Sequence, residues 1–268
     1  MVSVLTEDLA RRIEVSEIDG LKSRLSAIQS LPGNPMGVEI TDFGHATAFI
    51  AKGIPGPAFN TIRGLTSEDI HEIDRILDYY KDKNIPAQFE ITPASSSEEL
   101  LFTLAKKGFY QKGFHSVLYG EAKGVIGGQD QSISIRKLKA DEFGLFADLY
   151  VKGFGLPSFI REGIAQNNQV LYSHGAWDFY MASYHNEPAG IGVLFTHNGM
   201  ATLAASSVIP EYRNRGIHRA LIIERIIEAW NKQVEFIVGQ AKFASTSANN
   251  MERLGLRVAY TKTIWGEV

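Results

Sequence analysis

Apolar and polar residues alternate at 132–137, where Ile133 and Ile135 face the same way, and this spacing predicts a half-buried strand. A helical period follows at 140–151, with Phe143, Phe146, Ala147 and Tyr150 on one face. Pro157 suits the first turn of a second helix running toward Leu171. Three apolar runs at 179–184, 189–196 and 200–208 are separated by His185-Asn186-Glu187-Pro188 and by Asn198-Gly199. Asn-Gly between such runs is a hairpin signal, so an antiparallel meander is expected. Next, Ala220, Ile223, Ile226, Ile227 and Trp230 mark one face of a helix over 219–232, and 234–241 is a continuously apolar strand. A short helix over 247–254 ends at Gly255, and a strand over 260–265 closes the domain. Strand–helix–strand crossovers require part of the sheet to be parallel, so the class is mixed α/β.

The stretch 121–131 is rich in glycine and polar residues between apolar segments and reads as a linker, which gives domains of 1–124 and 132–268. The two halves also resemble one another at a fixed offset. The segment Leu104-Ala105-Lys106-Lys107-Gly108-Phe109 matches the end of the later helix, with glycines at 108 and 255, and 255 − 108 = 147. The same offset lays strand 88–91 on 235–238 and Val117-Leu118 on Ile264-Trp265. It also lays the helix bearing Ile73, Ile76, Leu77 and Tyr80 on the one bearing Ala220, Ile223, Glu224 and Ile227. One number covers four elements, and a duplication is the simplest account.

A chain of 268 residues has room for two modest domains, and 44% hydrophobic with 21% charged residues are globular proportions. A net charge of −3, from 27 basic and 30 acidic residues, holds no excess for binding a polyanion, so no nucleic-acid partner is expected. No apolar run approaches the roughly 18 residues that span a bilayer, and the first residues lack the basic and apolar regions of a secretory leader. No membrane association and a cytoplasmic location are therefore expected. The lack of cysteine removes thiolate zinc sites and thioester chemistry on an enzyme sulfur, and no metal is expected.

The chemistry concentrates in Arg213-Asn214-Arg215-Gly216-Ile217-His218, between an apolar strand and a helix. N–H groups at a helix start have no intrahelical partner and form a ready anion site. Gly216 allows close approach and positive φ, while Arg213, Arg215 and Arg219 add positive charge. In the first half the same offset gives Thr66-Ser67-Glu68-Asp69-Ile70-His71, which has no glycine and two carboxylates that would repel a phosphate. Thr66 or Ser67 there reads as an N-cap. That domain is expected to bind no nucleotide and to serve as a scaffold, a pocket wall or a homodimer surface.

The segment Val208-Ile209-Pro210-Glu211-Tyr212-Arg213-Asn214-Arg215-Gly216-Ile217 resembles the central motif of the GNAT superfamily of coenzyme A-dependent N-acyltransferases: a strand, then Gln or Arg, two residues, Gly, one residue and Gly or Ala. The resemblance implies a mostly antiparallel twisted sheet flanked by helices, in two GNAT-like domains in tandem, the first degenerate. It implies an N-acetyltransferase using acetyl-CoA and a small-molecule amine or peptide acceptor. Backbone amides of Arg215 to Arg219 would hold the pyrophosphate, the strand edge at Ser207 and Val208 would pair with the pantetheine arm, and Ser247 would lie beside that arm. Arg213, Asn214, Gly216, Ile217, His218 and Arg219 complete the expected cofactor contacts.

The sequence also departs from the family. Many members carry a tyrosine in the later helix that protonates the leaving thiolate, seven residues after an asparagine. Here those positions are Met251 and Ala244, and a thioether has no proton to give. Candidates for a base are His174, His185, His197 and Tyr180, each with a plain alternative as a turn or core residue. Phe154 to Phe159, with Trp177, is the candidate lining of an apolar acceptor pocket. A non-catalytic acyl-CoA sensor stays open as a second reading, and a scaffold without cofactor as a third.

Overall fold

The computed structural model describes residues 3–54, 56–122 and 130–267. Contacts divide the chain into two units, one built on Val4–Val117 and the other on Leu118–Arg257. Most of the predicted linker, residues 123–129, lies outside the described residues.

The first unit begins with α1 (Glu7–Gln29), capped by the Thr6 hydroxyl on the Leu9 N–H. Strands β1 (Val38–Phe43), β2 (Ala46–Ala51) and the short β3 (Thr61–Arg63) follow. A 3-10 turn, Ser67–Glu72, runs into α2 (Ile73–Asp82), then β4 (Gln88–Ile91), α3 (Glu98–Lys106) and β5 (Phe109–Glu121). Apart from β3 and β4, which are parallel, the neighbouring strands with recorded register are antiparallel. Ile62, Phe89, Ile76, Tyr80 and Leu100 centre its core.

The second unit holds β6 (Ile133–Lys137), α4 (Phe143–Phe154), α5 (Arg161–Tyr172), the meander β7 (Trp177–Tyr184), β8 (Glu187–His197) and β9 (Met200–Val208), then α6 (Ile217–Asn231), β10 (Phe236–Ala241) and α7 (Thr246–Arg253). The meander is antiparallel, with turns at the predicted places, and β10 runs parallel to β9. Phe143 and Phe146 of α4 meet Phe179 edge-on, and Leu221, Ile222 and Ile226 of α6 pack in a cluster with Tyr180 and Ala182 of β7 and Leu194 of β8. Both classes of strand pairing put the fold where the residue pattern did: mixed α/β, mostly antiparallel, with helices against the sheet.

The final strand, β11 (Arg257–Glu267), departs from expectation. It was expected to close the domain of 132–268. From Val258 on it counts instead with the unit of Val4–Val117, where Thr263 pairs with Ile91 and Gly266 with Gln88. Residues 118–121 of β5 count with the other unit, where Leu118 and Ala122 enter the core and the Ala122 N–H donates to Glu235 O. The repeat supplies the physical reason. Val117-Leu118 and Ile264-Trp265 fall on one another at the 147-residue offset, so the two strands are close equivalents in sequence. No helix among the described residues is long and apolar enough to cross a membrane.

Candidate functional site

β9 begins alongside β10 and then leaves it. The pairing runs from Met200↔Phe236 to Leu203↔Gly239 and ends there. On the other side β9 stays paired to β8, but the register slips: Leu194 faces Leu203 and Val193 faces Ala205, so Ala204 is an extra residue, a β-bulge. Residues 204–208 thus keep β8 on one side and, among the described residues, no strand on the other. An extended backbone with one free edge can take a further extended chain. Ser207, 5% exposed, turns a hydroxyl without a hydrogen-bond partner toward Gly153 of α4, so its backbone and not its side chain meets the edge, and Val208 follows it.

The strand then enters the arginine loop. A 3-10 turn, Pro210–Tyr212, leads to Arg213, which donates from Nε to Val208 O (3.2 Å) and from Nη2 to Gly153 O (2.8 Å). Its guanidinium therefore braces the loop between α4 and β9. Asn214 and Gly216 both take left-handed backbone, φ 61° and 78°, which turns the chain sharply into α6. A Cβ at Gly216 would meet only Ile133 Cδ1 at 3.7 Å, so backbone conformation and not crowding calls for glycine there. The helix begins at Ile217, two residues ahead of the predicted 219, because Gly216 is its N-cap. No side chain caps it, and among the described residues the N–H groups of Ile217, His218 and Arg219 find no backbone acceptor.

Around these amides, Arg215 lies over the Tyr184 ring (5.0 Å) and donates to its hydroxyl (3.3 Å), while Arg219 is exposed. Ile217 is core, so only its N–H can serve a ligand. His218 receives a hydrogen bond at Nδ1 from Asn250 Nδ2 (3.1 Å). Burial, helped by the charge of Arg225, holds its pKa down at about 4, so the ring is neutral at pH 7. Ser247 is half-buried in the first turn of α7, which is capped by Ser245.

The candidate bases are not gathered at this edge. His174 and His185 are exposed in turns and His197 is exposed at the last position of β8, and His174 and His197 sit at the end of the meander opposite the loop. Tyr180, expected to face the acceptor pocket, is fully buried beneath α6, because residues 179–182 of β7 are buried on both faces. Burial pushes its hydroxyl far above the ordinary value. Trp177 likewise packs on Phe195 (4.6 Å) and is 5% exposed. Phe154, Leu156 and Phe159 are exposed, just past the Gly153 carbonyl that Arg213 holds. At the position of the missing acid, Met251 is 2% exposed with its sulfur against Gly239, where β9 and β10 part. Ala244 adopts φ 53°, a conformation asparagine tolerates better than alanine.

Arg225 belongs to this site and escapes the periodicity argument, which placed Trp230 on the buried face. Arg225 is 1% exposed and Trp230 53% exposed. The signal was present: Arg225 lies four residues after Leu221 and four before Ala229, in the middle of the buried stripe.

In the unit of Val4–Val117 the matching place is filled by protein. β3 and β4 share only Ile62↔Phe89, against Met200↔Phe236 in the other unit. The separations are 89 − 62 = 27 and 236 − 200 = 36, so this unit is shorter by 36 − 27 = 9 residues, the length that elsewhere makes a free edge and a loop. Thr66 caps the helix start in a capping box with Asp69, whose carboxylate also takes the His45 N–H. Around the ends of β3 and β4, Lys262 bridges Glu17 and Glu90 (2.6 Å each), Arg63 pairs with Glu90 (2.9 Å), and Glu14 accepts from Thr92 and Ser95. Burial alone would raise the Glu90 carboxyl, yet Arg63 and Lys262 hold it at about 2.

No protein-family model matches the sequence, and no curated protein matches it. Solved structures do match in fold. A GCN5-related N-acetyltransferase from Kribbella flavida superposes with a TM-score of 0.66 at 10% identity, over 91% of this chain and 95% of that one. One from Sphaerobacter thermophilus gives 0.62 at 13% identity, over 94% and 93%. A tandem GNAT protein from the clavulanic acid biosynthesis pathway gives 0.64 at 10% identity, over 94% of each chain. The chain has the fold of the GNAT superfamily in its tandem form.

Proposed function

We propose that the unit of Leu118–Arg257 binds acetyl-CoA and that the protein is an N-acetyltransferase acting on a small-molecule or peptide amine. One observation carries this reading: the free edge of β9 at 204–208 leads directly into the uncapped start of α6, so a row of unpaired backbone groups ends in an anion seat. The edge suits a pantetheine arm and the seat a pyrophosphate. The backbone edge at Ser207 and Val208 faces the arm, and Arg215 and Arg219 offer charge to the phosphates. In the other unit Asp69 and the Glu17–Lys262–Glu90–Arg63 network occupy the corresponding space. Of the two sequence copies, 1–124 and 132–268, only the second takes the cofactor.

Acetyl-CoA supplies an acyl group already activated as a thioester. The chain's own work is to fix that group against the β9 edge and to hold the amine in line with it, which is mostly orientation and backbone polarisation. Attack forms the C–N bond as the C–S bond breaks, and the proton lost by nitrogen balances the one gained by sulfur. Met251 has no proton to give. The leaving sulfur is therefore served by solvent and by N–H groups of the edge. The exposed apolar segment Phe154, Leu156 and Phe159 favours an acceptor that carries an apolar or aromatic group.

Acetyl-CoA is expected to raise the melting temperature, and Gly216→Glu to abolish the rise by placing a carboxylate in the seat. A wild-type protein that shows no shift, or a variant that keeps it, ends this reading. Thiol release with a panel of amines then identifies catalysis. The buried thioether at 251 favours one rival, an acyl-CoA sensor, which predicts saturable binding and no thiol release with any amine.

A further inference from the structure

Arg225 makes no ion pair among the described residues although it is 1% exposed. Its Nε donates to Leu221 O (2.8 Å), one turn back in α6, and its Nη1 to Val193 O (3.2 Å) and Ala205 O (3.0 Å). Room for the guanidinium comes from Gly192: a Cβ there would stand 3.2 Å from Arg225 Nε and 3.4 Å from Cζ. Burying a charge without a counter-charge is costly, and apolar side chains in such places are often neutral or stabilising. Burial does push this guanidinium down to about 10, which leaves it charged at neutral pH. Core stability alone does not account for an arginine here.

The carbonyls it serves do account for it. Val193 and Ala205 are the last cross-strand pair before the register slips over Ala204, and the next pair is Leu194↔Leu203. Leu203 is also the last residue of β9 paired with β10. Three features fall within residues 203–205 of β9: the end of the β10 pairing, the bulge, and the guanidinium bond to Ala205 O, whose companion goes to Val193 O on β8. Carbonyls buried at a bulge lose ladder partners, and an unsatisfied buried acceptor is expensive. A single planar donor fork reaching both strands removes that cost only while the strand stays bulged.

We propose that Arg225 is a positioning residue whose guanidinium locks the bulge at Ala204 and thereby holds the 204–208 edge of β9 free of β10, ready for the pantetheine arm. This rests on the reading that the unit binds acetyl-CoA. The anion seat at 213–219 is built by the loop and the helix start, so it does not depend on the bulge. Loss of Arg225 therefore acts on one half of the ligand and spares the other.

Isothermal titration of the full chain with two probes tests it: acetyl-CoA, and adenosine 3′-phosphate 5′-diphosphate, which lacks the pantetheine arm. Wild type binds both. Arg225→Met is expected to weaken acetyl-CoA about tenfold, equivalent to ~1.4 kcal/mol, while the nucleotide changes less than about twofold. Arg225→Lys, which keeps the charge without the fork, is expected to recover part of the difference. Should Arg225→Met fail to fold, Gly192→Ala crowds the guanidinium without removing it and is expected to show the same selectivity at smaller amplitude. Equal weakening of both probes, or none, overturns the role of Arg225. A wild type that binds neither probe overturns the cofactor reading itself and this proposal with it.

Discussion

His218 shows how one side chain reports its surroundings. The family pattern has a small residue there, and the structure accommodates imidazole by turning Nδ1 to Asn250 and burying the ring at a helix start. Burial and the charge of Arg225 both disfavour imidazolium, so the neutral ring prevails down to about pH 4. The folded pKa is depressed below the ordinary 6.5, so the unfolded chain takes up the proton first. The stability contributed is whole above pH 6.5 and is lost as pH falls from there to about 4. His218→Gln keeps an acceptor for Asn250 without titrating. Urea unfolding at pH 7 and pH 5 is expected to show a smaller loss of stability in this variant than in wild type, and equal losses would refute the placement. At this scale the sequence showed the loop residues, because Gly216 and three arginines stand out, but not which arginine faces a ligand. Arg213 turned out to brace Val208 and Gly153, a role fixed by where α4 ends and invisible in spacing.

Among the elements, α6 separates what period can and cannot reveal. A helix with Leu221, Ile222, Ile223 and Ile226 is apolar around much of its circumference, and several faces then fit the same pattern. The face read from spacing includes Trp230 and leaves out Arg225, whereas Trp230 is 53% exposed and Arg225 1% exposed. Leu221→Ala is accordingly expected to cost about 2–5 kcal/mol in chemical denaturation. Trp230→Ala should stay within about 0.5 kcal/mol, as surface changes usually do. The opposite order would restore the periodic face. Strands were easier to read: β7, β8 and β9 appear where alternation and the Asn198-Gly199 turn put them. The bulge at Ala204 was not legible, since one extra residue leaves an apolar run looking like a plain strand.

Across the whole chain, the 147-residue offset carries from α2 through β5 onto α6 through β11, as 98–106 falls on 245–253 and 109–121 on 256–268. It fails just before α2, where the first unit is nine residues shorter between its paired strands and helix. The place of β11 beside β4 was hidden for a physical reason: β5 and β11 are near-equivalent in sequence, so composition cannot say which of them pairs with β4. Helix α1 lies ahead of the stretch the offset covers, in the place that α4 and α5 take before their meander, and its Glu14 and Glu17 help to fill the first unit's cleft. The filled cleft and the open edge make opposite predictions for one ligand, and counting sites decides between them. Isothermal titration of the full chain with acetyl-CoA is predicted to give one site per chain, absent in Gly216→Glu. Two sites, no binding, or binding that survives Gly216→Glu would contradict the account.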